Sequence, residues 1–203
     1  MADTPLLLGS SNPGKLGEMR QLLDGMPYRV LGPGDVGLRG APEETGATFM
    51  ENAILKARHY ADASGLLAVA DDSGISVDAL GGGPGLYSSR FGGEGASDDE
   101  RNRLLLERLR GVPPAKRGAR FTSAVAVARG GRVLFQAEES VDGLIAEEPR
   151  GSNGFGYDPV FFYPPFGKTF GEVSAPEKDR VSHRGKSFAR LREFLKRLGD
   201  APS

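Results

Sequence analysis

Cysteine and tryptophan are absent from the 203-residue chain, and histidine occurs only twice, as His59 and His183. Without a thiol there is no disulfide and no cysteine nucleophile, and zinc loses its commonest ligand. Two histidines exclude a histidine-rich metal site. No apolar run approaches the ~20 residues of a membrane span, and the apolar part of "MADTPLLLGS" is too short for a signal peptide. Charge is nearly balanced, with a formal net of −1. No basic field draws the chain to nucleic acid, and no block of like charge marks a tail. These absences set the expectation of a cytoplasmic protein with no membrane and no nucleic-acid partner.

What is present points to one folded domain over 1–203, built as one large body or two small lobes. The 30 glycines and 14 prolines cluster between periodic segments, as in a domain with elaborate loops. "PLLLGS" reads as a buried first strand. Leu16, Met19, Leu22 and Leu23 then recur at helical spacing, with Gly25 as a stop. "YRVL" is a second short strand. Thr48 and Glu51 form a capping box ahead of a helix running to Gly65. "LLAVA" reads as a buried strand stopped by "DDSG", with Ser73 and Gly74 making the turn, and "ISVDAL" as a further strand. Ser97 and Glu100 form another capping box, before a helix closed by Gly111. From Arg120 the pattern alternates, turns at Gly130-Gly131 and alternates again, which predicts a β-hairpin. Ser182 reads as the N-cap of a final helix carrying Phe188, Leu191, Leu195 and Leu198.

Several stretches carry chemistry-bearing residues. "GSSNPGK" fits the phosphate-loop pattern G-x-x-x-x-G-K-[ST] up to its last letter, where Leu16 replaces the hydroxyl that would hold Mg²⁺. The strand-to-helix turn still favours an anion, and Lys15 in the first helical turn makes sense beside one; an ordinary Asn-Pro-Gly turn is the alternative. In "ADDSG", consecutive strand residues point to opposite faces, so only one of Asp71 and Asp72 faces a given site and the other supports the loop. Glu43 and Glu44 of "EETG" suit a hard cation, or simply the N-terminus of the next helix. Lys56 on that helix is unremarkable by itself. "GFGYDP" offers a platform for a flat base, or a core strand. In "EKDRVSHRG", His183 and Arg184 in a first helical turn need an anion or an acceptor-rich base edge to compensate them. Phosphate donors, carboxylates for Mg²⁺, an aromatic platform and a His-Arg pair together make the inventory of a nucleoside triphosphate site.

At this point the chain resembles a known family. "SSNPGKLGEMRQLL", "EETGATFMENAILKA", "ADDSGISVDALGGGPGLYSSRF", "GFGYDPVFF" and "EKDRVSHRGKS" occur in the order and spacing of the noncanonical purine NTP pyrophosphatases. These are also called the inosine triphosphatase, dITP/XTP pyrophosphatase or Ham1-like family, and the likeness runs from about Leu6 to Leu198. The resemblance implies an α/β fold, an elongated mixed β-sheet flanked by helices in two lobes around a central cleft, in a homodimer. It implies Mg²⁺-dependent hydrolysis of ITP, dITP and XTP to the monophosphate and pyrophosphate, which keeps deaminated purines out of nucleic acid. By position, Ser10, Ser11, Asn12, Pro13, Gly14 and Lys15 would form the nucleotide-binding loop. Glu44 and Asp72 would hold metal, with Asp72 also the proton acceptor and Lys56 near the phosphates. Ser73 and Lys178 would contact substrate. Phe155, Gly156, Tyr157 and Asp158 would line the base pocket, and His183 and Arg184 would recognise the purine edge.

Overall fold

The alternation of residue size along the strands decides how the sheet is covered. In the computed structural model, which describes residues 4–199, the strands are β1 Thr4–Leu8, β2 Tyr28–Leu31, β3 Leu67–Val77, β4 Gly118–Arg129, β5 Arg132–Ile145, β6 Phe161–Tyr163 and β7 Lys168–Thr169. The α-helices are α1 Pro13–Leu22, α2 Phe49–Ser64, α3 Asp98–Arg108, α4 Ala175–Asp179 and α5 His183–Gly199. The extreme ends of the expected 1–203 domain lie outside the described residues. The strands form one mixed seven-stranded sheet in the order β2-β1-β3-β4-β5-β6-β7. β1 pairs parallel to β2 and β3, and β6 pairs antiparallel to β5 and β7. Gly130 and Gly131, at φ +54° and +73°, make the turn between β4 and β5. Positive φ at both central positions matches a type I′ hairpin, as the paired glycines predict.

The chain packs as two compact units, and β3, β4 and β5 each contribute to both. Of the described residues, the first unit comprises 4–72, Ser123–Glu139 and 184–199. Within it, Leu6, Leu8, Leu67, Val69, Val125 and Val127 share a core with Met19 and Leu23 near α1 and with Phe188, Leu191 and Leu195 of α5. The intervening residues Leu7, Ala68, Ala70, Ala124, Ala126 and Ala128 pack instead with Ala53, Ala57, Tyr60 and Ala61 of α2. Period-two alternation thus gives each face its own helices. The second unit comprises Ser73–Thr122 and Ser140–His183. Its core is more aromatic, with Phe121 and Phe161 at 4.5 Å and Phe161 and Phe170 at 4.9 Å between ring centroids.

Two local expectations are corrected. β3 does not stop at "DDSG": it runs unbroken through Asp71, Asp72, Ser73 and Gly74 to Val77. Buried carboxylates would break a strand if left uncompensated, but both acids here have cationic partners. The helix from Thr48 is capped differently from a full box. Thr48 accepts from the Glu51 amide at 3.1 Å, while the Glu51 carboxylate accepts from the amide of Ala47, not of Thr48. The Ser97–Glu100 box is complete, though α3 ends at Arg108, ahead of Gly111.

Candidate active site

The "SSNPGK" stretch forms the turn between β1 and α1. Asn12 is the N-cap, its side chain accepting from the Lys15 amide at 3.1 Å, and Pro13 takes the first helical position. Ser10 is buried and accepts from the Asn12 amide at 3.2 Å; Ser11, Asn12 and Pro13 are exposed. Gly14 follows in the first turn. Lys15 reaches back from this turn to Asp71, Nζ to Oδ1 2.9 Å. Burial lowers the Lys15 pKa, and the nearby Lys56 and Arg184 cations add to that, against the pull of Asp71.

The two adjacent acids of β3 follow the parity of the strand. Asp71 continues the Leu67–Val69 side and meets residues of α1 and α5; Asp72 continues the Ala68–Ala70 side and meets α2. Asp71 is 1% exposed. It pairs with Lys15, with Arg184 Nη2 at 3.4 Å, and accepts from Ser123 Oγ at 2.9 Å. Ser123 also lies 2.9 Å from Ser187 Oγ, and Arg184 pairs with Glu18. Burial opposes ionisation of Asp71, but Arg184 and Lys15 outweigh it and hold the carboxyl far below the usual range.

Asp72 lies in a second ionic group. Lys56 Nζ donates to Asp72 Oδ1 at 2.7 Å and to Glu44 Oε1 at 2.8 Å, and the Asn52 amide donates to Asp72 Oδ2 at 3.3 Å. Asn52 and Lys56 are four apart on α2, so they share one face. Burial raises the Asp72 pKa, and Lys56 and Lys15 counter this without reversing it. For Lys56 burial works against the charge, yet Asp72 and Glu44 raise its pKa. The lysine that is unremarkable in the sequence is therefore the junction of the two carboxylates. Glu43 is exposed and Glu44 half-buried, which separates the pair.

Oxygen donors of this kind suit a hard divalent cation. Among the described residues no group of three or more His, Asp and Glu is placed to hold a metal. Mg²⁺ commonly takes one or two carboxylates and completes its shell with water and substrate phosphates, so Glu44 and Asp72 fit that ion.

The remaining predicted residues, except Arg184, lie in the second unit. Ser73 is half-buried in β3. Phe155, Gly156, Tyr157 and Asp158 form a turn before β6, so the strand alternative for this segment holds only from Phe161. Asp158 is buried; it accepts from the Phe155 amide at 2.9 Å and from Lys178 Nζ at 2.6 Å. Lys178, on α4, lies 5.3 Å from the centre of the Phe155 ring. Tyr157 belongs to the core, donating its hydroxyl to the Ser88 carbonyl at 2.8 Å, and burial pushes its pKa up. His183 stacks on Phe121 at 4.6 Å with 9° between planes. Its neighbour Arg184 is buried between Glu18 and Asp71. The anion that the sequence demands at this helix start is thus supplied, for Arg184, by protein carboxylates.

Sequence reading gives Asp71 only a supporting role and passes over Glu18, Asn52 and Ser123. Strand parity is the usable signal for Asp71, and the i,i+4 spacing with Lys56 for Asn52. Glu18 and Ser123 carry no local signal, because their partners are distant in sequence.

Known proteins share this arrangement of sequence. A dITP/XTP pyrophosphatase of Thermus thermophilus is 48% identical over 197 residues, 97% of this chain and 93% of the relative. That of Xanthomonas oryzae pv. oryzae is 46% identical over 195 residues, 95% of this chain and 98% of its own. Among solved structures, a HAM1 protein from Coxiella burnetii superposes with a TM-score of 0.85 at 39% identity, covering 96% of this chain and 99% of that one. The dITP/XTP pyrophosphatase structure from Mycobacterium abscessus gives 0.73 at 41% identity, covering 93% and 98%. The sequence profile of the Ham1 family matches residues 6–194, and the chain belongs to that family.

Proposed function

We propose that this chain hydrolyses noncanonical purine nucleoside triphosphates, ITP, dITP and XTP, to the monophosphate and pyrophosphate. The observation that carries the reading is the junction of Glu44 and Asp72 on the Lys56 ammonium, in a chain nearly half identical to named dITP/XTP pyrophosphatases. Ser10 to Lys15 take the phosphates, with Lys15 and Lys56 countering their charge. Asp72, its pKa raised by burial, accepts the proton of a water that attacks the α-phosphorus as the bond to pyrophosphate breaks. Glu44 and Asp72 would hold Mg²⁺, which when bound would supply charge neutralisation at the leaving group. Ser73 contacts substrate. Phe155 to Asp158 and Lys178 take the base, and His183 or backbone N–H groups present donors to an oxygen at C6, while Arg184 beside them is held by Glu18 and Asp71. Adenine, with an amino group there, would leave such donors unpaired, at ~1–3 kcal/mol each. The working form is a homodimer of the two-lobed 1–203 domain, acting in the cytoplasm. No helix among the described residues is long and apolar enough to cross a membrane.

The test is product analysis. With Mg²⁺, XTP should yield XMP and pyrophosphate, and removal of the metal should stop turnover. Orthophosphate as product, or equal rates on XTP, dITP, dGTP and dATP at one concentration, would overturn the reading.

A second expected result concerns the base loop. Gly154 holds φ +74°, and a Cβ there would overlap the Asp158 carboxylate. Gly154→Ala strains the backbone and displaces the group that holds the Phe155 amide and Lys178. We expect KM for XTP to rise about tenfold, a ~1.4 kcal/mol loss of binding, with the fold retained by circular dichroism. An unchanged KM would detach this loop from the substrate.

A further inference from the structure

The start of α3 is an acidic, capped helix that the function above leaves unused, yet it is bonded to the middle of the base loop. Asp98 Oδ2 accepts from the Gly156 amide at 2.7 Å. One turn on, Asn102 Nδ2 donates to the Gly156 carbonyl at 3.0 Å. Residues four apart on a helix share a face, so α3 grips the N–H of Gly156 and its C=O together. Asp98 is itself steadied: it pairs with Arg101, whose Nη1 also donates to the carbonyls of Ser89 and Ala96. On the far side of Gly156 the Tyr157 hydroxyl is held by Ser88, and before it the Phe155 amide by Asp158.

Asn102 adds a second observation. It is 2% exposed, and its Oδ1 has no hydrogen-bond partner among the described residues. An acceptor buried without a partner is unfavourable, and such an atom calls for a reason. An apolar side chain of similar size would avoid the orphan oxygen but could not donate to Gly156. The bond to the loop is what the asparagine provides at this position.

We infer that Asp98 and Asn102 are positioning residues for base recognition, fixing both polar groups of Gly156 so that Phe155 is presented to the purine in one place. The inference rests on the assignment of 155–158 as the base pocket. A carboxylate and an amide gripping one residue give the loop its conformation before the nucleotide arrives, so ordering it need not be met from binding energy.

Three variants test it: Asp98→Ala, Asp98→Asn and Asn102→Leu, each measured for XTP kinetics, melting temperature and backbone amide exchange by NMR. Asp98→Ala removes the acceptor and should raise KM about tenfold while kcat stays within about threefold, the pattern of lost uniform binding. Asp98→Asn keeps an acceptor oxygen for Gly156 but loses the charge facing Arg101 and the helix dipole. It should restore KM to within about threefold of the parent. Asn102→Leu should raise KM about threefold to fivefold without a matching fall in melting temperature, because it also removes the orphan oxygen. Amide exchange at Gly156 should quicken in Asp98→Ala. If Asp98→Asn is as impaired as Asp98→Ala, the residue acts through helix charge and the inference fails. It fails equally if KM and the exchange at Gly156 stay at parent values. Should Asp98→Ala not fold, Asn102→Leu decides, and a lowered melting temperature with unchanged KM overturns the inference. If the parent protein hydrolyses no purine triphosphate, the functional reading falls, while amide exchange across 154–158 still judges the grip.

Discussion

Asp72→Asn should remain folded and lose about three orders of magnitude in kcat. Loss of a positioned general base costs ~10²–10⁴ in rate, and the same carboxylate is proposed above as both base and metal ligand. Stability should change little, for two reasons. Lys56 keeps Glu44 as a partner at 2.8 Å. The Asp72 charge is also disfavoured by burial, as its raised pKa records, so neutralising it relieves a desolvation penalty. Steady-state kinetics on XTP beside a thermal melt check both halves. Normal turnover in a folded Asp72→Asn protein would remove Asp72 from the mechanism.

Asp71→Asn, one residue earlier, should show the reverse emphasis. Its carboxylate is buried between Lys15 and Arg184, and of the two cations Arg184 also has Glu18. Removing one charge from a buried ion group leaves the others uncompensated, at ~3–5 kcal/mol. For a chain of 203 residues that corresponds to a fall in melting temperature of about 10 °C. On the proposed role of Lys15 at the phosphates KM should rise as well, because Lys15 loses the group that draws it across the β1–α1 turn. Adding Lys15→Gln to Asp71→Asn should cost less than the sum of the single changes, since the pair is in contact. A melting temperature within about 2 °C of the parent would show that the pair contributes nothing to stability. Adjacent acids with opposite phenotypes are the direct consequence of strand parity.

Local signals account for most of the fold that could be read in advance. Paired glycines at 130 and 131 meet the turn's demand for positive φ whatever surrounds them, and the hairpin forms as expected. Ser97 and Glu100 satisfy orphan amides within one turn, so their box forms too. "DDSG" misleads because two acids after an apolar run look like the end of a strand. Whether a carboxylate can stay in a buried strand depends on cations brought from elsewhere, and Lys15, Lys56 and Arg184 come from three helices.

The candidate site divides along the same line. Composition alone, without cysteine and with two histidines, excluded thiol chemistry and a histidine-rich metal site. Alternation said that Asp71 and Asp72 would part company. The motifs, through their order and spacing, indicated the family. Tertiary structure decided which acid went with which helix, that Lys56 joins Glu44 to Asp72, that Arg184 is held by Glu18 and Asp71, and that α3 grips Gly156. Periodicity and capping act over a few bonds and are written in adjacent letters. An ion pair such as Glu18–Arg184 spans most of the chain, and no local pattern encodes it until the sheet has brought its helices together.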